Sequence, residues 1–304
     1  MLIKNLFFKR AGKIQAFMIT RLQADEIAER VMLTSGPYSF DITRQHGMIC
    51  LAPFCMAVWL PQKQADMADL QFSKIEFINE DTLNARIWVS LIEQIQTEHG
   101  VLLLYKILKV GNYQLSILHR LVFFGYLLRA KNNTYHHREV ISALYSYPRS
   151  IIIVSYRDAD YCNIFPMDIH SYIEAEGLYL LGLRTTNITL DKILEAKKVV
   201  ICDTSNVDID TVYNLGKHSS KVPTPVGQLS FGVSNSEMFG FPVPEFSGWY
   251  KEVEIVHHQK MGYHMLLLGK VVNKRVIRQN PASLYHVGFL QAQQGNYKSM
   301  EGLF

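Results

Sequence analysis

The chain has 304 residues, of which 48% are hydrophobic and 19% charged, enough for one large domain or two ordinary ones with substantial cores. Its 31 basic and 27 acidic residues leave a net charge of +4 and are scattered along the chain, which argues against the concentrated basic face of a nucleic-acid binder. Cys50, Cys55, Cys162 and Cys202 form no CxxC pair and sit in apolar runs, the pattern of buried free thiols in a reducing compartment. Charges interrupt the apolar stretch of Met1–Lys13, so no secretory signal is read there. No run reaches the ~18 apolar residues of a spanning helix. The expectation is a cytoplasmic protein with no membrane partner.

In chain order, Ile27, Val31 and Met32 fall at helical spacing within Gln23–Met32, and Ser35-Gly36-Pro37 stops them. The apolar run His46–Leu60 contains Pro53, which argues for two short strands or an edge strand. Leu83, Ile87, Leu91 and Ile95 recur every fourth residue ahead of Gly100, which predicts an amphipathic helix from about Asp81 to His99. Val101–Val110 and Leu118–Leu128 read as strands about a turn near Gly111-Asn112. The polar stretch Lys131–Thr134, followed by His136-His137-Arg138, reads as a linker.

Beyond it, Ile151–Tyr156 and Cys162–Ile169 form a hairpin about Asp158-Ala159-Asp160. Leu178–Leu183 is a third strand and Val199–Cys202 a fourth. Val207–Leu215 is a helix that Gly216 ends, and Gln228–Glu245 is a long, partly irregular loop. Val253–Val256 and Met265–Ile277 are antiparallel strands about Met261-Gly262. Many strands and few helices suggest a closed or half-closed barrel, because closure removes exposed edges. His119–Gly125 echoes His264–Gly269. That echo reads either as two unrelated strands or as the trace of a first half that is a degenerate barrel copy.

The turn Arg184-Thr185-Thr186-Asn187 combines a guanidinium, two hydroxyls and an amide ahead of a helix start, chemistry that suits a phosphate. Thr189 is the expected N-cap, with Ile188 and Ile193 as a staple. Taken alone, the turn is an ordinary capped helix start. Its surroundings change that reading. Pro148-Arg-Ser-Ile-Ile-Ile-Val-Ser-Tyr-Arg-Asp-Ala-Asp, then Asn163-Ile-Phe-Pro-Met, then Arg184-Thr-Thr-Asn-Ile, then Val199-Val-Ile-Cys is similar in order and spacing to the flavin reductase-like and flavoredoxin-like family of FMN-binding split β-barrels. The likeness spans Pro148–Val276, about half the chain, and lies in the ordered series.

The resemblance implies a mainly β (α+β) protein. A split barrel would occupy residues 141–290, after an N-terminal α/β-mixed region (1–140) of unassigned role, and a tail would follow (291–304). It implies that Asn163, Ile164, Phe165, Pro166 and Met167 line a flavin ring, and that Arg184, Thr185, Thr186 and Asn187 hold its phosphate. Ser219, Ser220 and Lys221 would form a second polar loop near the cofactor. His264 would stand at the cofactor mouth, unless it is merely a strand-end histidine at a sheet surface. FMN is the implied cofactor, with FAD the alternative. NAD(P)H is the implied reductant, a protein or small molecule the electron acceptor, and a homodimer the implied assembly. The chain reads Gly262-Tyr263-His264 where the family commonly has Gly-Asp-His. No side chain need act as acid or base, and no residue set has metal-ligand spacing. Two other functions share this architecture: a non-catalytic module holding flavin, haem or a protein partner, and a pyridoxamine-phosphate oxidase-like enzyme, which expects more basic residues at the phosphate.

Overall fold

The computed structural model describes residues 17–113, 117–128, 135–218, 221–288, 291 and 297. β1 (Phe17–Leu22) is followed by seven strands: β2 (Glu29–Ser35), β3 (Tyr38–Asp41), β4 (His46–Leu51), β5 (Phe54–Pro61), β6 (Phe72–Asn79), β7 (Thr82–Gln96) and β8 (Gly100–Asn112), with the short α1 (Gln62–Ala65) after β5. Helices α2 (Ile117–Leu128) and α3 (Tyr135–Leu144) lead to β9 (Arg149–Ser150). A second set follows: β10 (Ile152–Arg157), β11 (Cys162–Met167), β12 (His170–Ile173), β13 (Leu178–Arg184), α4 (Leu190–Ala196), β14 (Lys198–Cys202), α5 (Ile209–His218), the ribbon β15 (Val233–Asn235) and β16 (Pro242–Pro244), β17 (Trp249–Lys260) and β18 (His264–Val276). β19 (Ser283–Gly288) pairs with β1 and β9 in a small sheet that joins the two ends of the chain.

The two large sheets have one topology. The first runs β3-β2-β6-β7-β8-β5-β4 and the second β11-β10-β14-β17-β18-β13-β12, the same order once β2–β8 are matched in sequence to β10–β14, β17 and β18. The hydrogen-bond register agrees in detail. Pro61 pairs with Gly100 at the start of β8 as Arg184 pairs with His264 at the start of β18. Bulges interrupt β7 at Trp88/Val89 and Leu91/Glu93, and β17 at Glu252/Val253 and Ile255/His257, which are equivalent positions. Bulges bend a strand and set its twist, so two matched pairs mean two copies of one barrel. The registers align Val101-Leu-Leu-Leu-Tyr-Lys106 with Met265-Leu-Leu-Leu-Gly-Lys270, and His46 with His170.

The first half is therefore a copy of the barrel, with the helices α1, α2 and α3 added to it. The echo of His119–Gly125 is out of register, because residues 117–128 are α2; the true counterpart of β18 is β8. Asp81–His99 is not a helix but most of β7. A four-residue apolar spacing also keeps one face of a strand, whose period is two, and that reading wins here because β6 and β8 flank the segment. Gln23–Met32 is only a 3-10 turn (Ala24–Glu26) ahead of β2, in which alternate residues Glu29, Val31, Leu33 and Ser35 are buried. Gly111-Asn112 end β8 and form no hairpin, and Gly216 lies inside α5. The expected linker Lys131–Thr134 lies outside the described residues, and His136–Arg138 belong to α3. The split of 46–61 about Pro53, the hairpin about Asp158–Asp160 and the long closing pair match expectation.

The barrels meet through matched surfaces. A third apolar cluster joins Ala57, Leu102 and Leu104 of the first barrel to their equivalents Leu180, Leu266 and Leu268 of the second. Gly47 and its counterpart Ser171 touch each other: a Cβ on Gly47 would stand 2.5 Å from that of Ser171, whose Oγ donates to the His46 carbonyl at 2.9 Å. Equivalent residues in mutual contact define a two-fold axis, here an internal one. Each long hairpin also caps the other barrel. Glu176 accepts from Thr97 Oγ1 (2.9 Å) and His99 N (2.8 Å), while Tyr263 N donates to Ala52 O at 2.9 Å.

His46 and His170 sit in this joint, and burial foremost holds each at a pKa of about 4; the Arg149 charge adds to this. His264 behaves alike, lowered to about 4 by burial and then by Arg184. The unfolded chain binds these protons near pH 6.5 and the native chain does not, so stability falls as the pH drops from about 6.5 to about 4. The expected slope is up to about 1.4 kcal/mol per pH unit for each histidine. Urea midpoints at pH 7 and pH 5 measure it, and equal midpoints would contradict the neutral assignment.

Candidate functional site

At the mouth of the second barrel the β11 end, the β13 end and the β18 start enclose a cavity of about 220 Å³. Phe165, Pro166 and Met167 form its apolar wall, and Arg184, Asn187 and His264 its polar one. Arg184 is exposed, and its side chain makes no hydrogen bond or ion pair among the described residues. Thr186 is exposed beside it. Thr185 is tied to the β17–β18 turn, its N–H and hydroxyl both donating to Tyr263 O (2.9 and 3.3 Å). Asn187 is buried, and its Oδ1 accepts from Thr189 N at 2.9 Å. Thr189 stands at the N-cap as expected but makes no capping hydrogen bond; its hydroxyl instead meets Asn163 Nδ2 (2.7 Å) and Tyr161 (2.9 Å). Ile188, the expected staple, is 38% exposed.

Two expected ring-lining residues stand apart from the cavity: Ile164 is in the barrel core and Asn163 is wholly buried against Thr189. Lys221 is exposed and lines none of this cavity; Ser219 and Ser220 lie outside the described residues.

His264 is not a surface histidine; it is 2% exposed. Its Nδ1 lies 3.5 Å from Leu51 N of the first barrel and 3.5 Å from Cys50 Sγ, and that thiol donates to Met261 O at 2.8 Å. The Leu51 N–H is directed at Nδ1, which makes that nitrogen an acceptor and leaves the proton of the neutral ring on Nε2. Nε2 is buried without a partner. An unused buried donor costs about 1–3 kcal/mol, a cost that a ligand acceptor would offset.

A second cavity of about 330 Å³ adjoins the first through Pro166, Met167, Asp168 and Gly216. Its polar edge is a hydrogen-bonded series that the sequence did not signal. Tyr213 donates to His286 Nε2, His286 Nδ1 donates to Asp168 Oδ2 at 2.7 Å, and Tyr145 donates to the same oxygen. Burial alone would raise the Asp168 pKa, but the bonds from His286 and Tyr145, with the Arg149 charge, hold it well below the usual carboxylate range. Asp168→Ala strips these buried donors of their acceptor and is expected to cost about 3–5 kcal/mol, read as a lowered urea midpoint at pH 7. A change below about 1 kcal/mol would show the series to be dispensable for folding.

The first barrel keeps none of this chemistry. Pro61 and Gly100 stand at the positions of Arg184 and His264, and the Trp59 indole, whose partner is Thr97 Oγ1 at 3.0 Å, lies against Gly100 where the second barrel has Gly182. Among the described residues no helix is long and apolar enough to cross a membrane, and no group of His, Cys, Asp or Glu could hold a metal ion.

No protein-family model matches the chain, and no curated protein matches it. Solved structures do. An FMN-binding protein from Thermus thermophilus with bound 1-cyclohex-2-enone is 22% identical, with 47% of this chain and 84% of that one covered and a TM-score of 0.42. An NADH:FAD oxidoreductase from Streptomyces globisporus is 12% identical over 52% of this chain and 93% of its own (TM-score 0.45). A flavoredoxin from Methanosarcina acetivorans is 14% identical over 46% and 86% (TM-score 0.39). Each match covers about half of this chain.

Proposed function

We propose that the second barrel binds FMN in the paired cavities and that the protein is a flavin-dependent oxidoreductase with one site per chain. The observation that carries this reading is the pairing, in one cavity, of the unengaged Arg184 guanidinium with the unpartnered Nε2–H of buried His264. Arg184 and Thr186 would hold the phosphate, a bidentate guanidinium and a hydroxyl being suited to it. Phe165, Pro166 and Met167 offer the apolar wall a flat ring needs. His264 offers a neutral N–H donor, fixed in that tautomer by Leu51. Bound flavin would supply the redox chemistry, taking hydride from NAD(P)H and passing electrons to an acceptor.

The first barrel has a place in this reading. The family resemblance implies a groove between subunits, and in this reading the first barrel takes the place of the second subunit from within the same chain. Its Cys50 and Leu51 reach the ring of His264. A homodimer through that face is therefore not needed.

The test is the visible spectrum of the purified protein, before and after adding FMN and removing the excess by gel filtration. Retained absorption bands at about 370 and 450 nm establish the site; a colourless protein after reconstitution overturns it. NADH and NADPH oxidation by the loaded protein then separates an oxidoreductase from a binding module without turnover.

A further inference from the structure

A third cavity, of about 300 Å³, lies in the joint between the barrels and shares Asp168 with the other two. Both barrels wall it at equivalent places, with Arg44 and His46 from the first and Asp168 and His170 from the second. Its charge is unbalanced. Arg149 is 6% exposed; its Nε donates to Leu144 O at 3.3 Å, but among the described residues its buried Nη2 has no partner and no carboxylate is in ion-pair range. Lys251 is also 6% exposed, and its ammonium lies 3.8 Å from the Trp249 ring centroid and 4.2 Å from that of Tyr172, with no hydrogen bond or ion pair among the described residues. Arg44 adds a third positive charge at the exposed edge. Of the two carboxylates in the wall, Asp168 is engaged by His286 and Tyr145, and Glu174 is exposed.

A buried guanidinium with an unused N–H is costly unless an anion meets it. The same N–H is a strong site for an oxyanion. The rest of the wall is aromatic, with Trp249, Tyr147, Tyr172 and Tyr285 among its residues, and the volume is that of a small ring compound and not of a dinucleotide. We propose that this cavity is a second ligand site, for a small aromatic oxyanion whose carboxylate or phosphate group is met by Arg149 and Lys251. The site is independent of the flavin reading, since it uses neither Arg184 nor His264.

The experiment is calorimetric titration of the full chain with benzoate and with phenyl phosphate at constant ionic strength, with neutral benzamide as control. Trp249 fluorescence provides a second readout. Saturable binding of at least one oxyanion is expected, and the stronger of the two identifies the preferred headgroup. Benzamide should bind at least about tenfold more weakly, since charge-assisted hydrogen bonds carry the recognition. Lys251→Met and Arg149→Gln should each weaken the oxyanion at least about tenfold, and Arg184→Ala should leave it unchanged. Lys251→Met decides the matter if Arg149→Gln does not fold. Absence of saturation at millimolar benzoate and phenyl phosphate, equal binding of benzamide, or unaltered affinity in Lys251→Met would each overturn the assignment.

Discussion

Arg184→Ala is expected to weaken FMN binding by about 10- to 100-fold with little change in stability. The guanidinium is exposed at the cavity edge and has no partner among the described residues to lose, so its removal should leave the urea midpoint nearly fixed. Hydrogen bonds to a charged phosphate are worth about 1.5–3 kcal/mol, and every 1.4 kcal/mol is tenfold in affinity. Quenching of flavin fluorescence on titration gives the dissociation constant directly. A wild-type value in Arg184→Ala would place the phosphate elsewhere and remove the main support for the proposed orientation. Arg184→Lys should fall between the two, since a point charge replaces part of the attraction but not the bidentate geometry.

Leu102→Ala and Leu266→Ala should each destabilise the protein by about 2–5 kcal/mol, the usual cost of emptying a fully buried leucine site. Both are wholly buried in the cluster that joins the barrels, and they occupy equivalent positions on β8 and β18. Each substitution should lower the midpoint of a single cooperative transition for the entire chain, because the cluster ties the two cores into one unit. Barrels that fold separately would give a different result: two transitions, with each variant moving only its own. Denaturation followed by circular dichroism and by tryptophan fluorescence distinguishes the outcomes, since Trp59 and Trp88 report on the first barrel and Trp249 on the second. The double variant should depart from additivity, as neighbouring sites in one packed cluster do.

The second barrel was legible because its signals are local. Two apolar runs about Asp158–Asp160, a run ending in Arg184-Thr-Thr-Asn, and a long pair about Gly262 each announce a strand and its turn within a few residues. The first barrel has the same architecture but weaker punctuation. Leu83, Ile87, Leu91 and Ile95 fit a helix as well as a strand, and no Gly-rich turn separates β6 from β7, where Glu80 takes a positive φ of 50°. The repeat was present in plain sight as Leu102-Leu-Leu-Tyr-Lys106 and Leu266-Leu-Leu-Gly-Lys270. Its identity rests on few residues, and a helix, α2, carries a closer-looking decoy at His119–Gly125.

Composition and local pattern alone determined that this is a strand-rich protein with free thiols, of which Cys50, Cys55 and Cys202 are buried and Cys162 half-buried, and with a phosphate-suited turn at Arg184–Asn187, because strand periodicity and turn chemistry act over a few neighbouring residues. Only the tertiary structure decided that the first half repeats the second and that Leu51 fixes the His264 tautomer. The same holds for the meeting of Asp168, His286, Tyr213 and Tyr145 in one hydrogen-bonded series, and for the two buried cations, Arg149 and Lys251, which no carboxylate among the described residues approaches to ion-pair distance. Those contacts join residues up to more than two hundred positions apart. Their partners are chosen by sheet register and by the packing of one barrel on the other, which no short window of sequence contains.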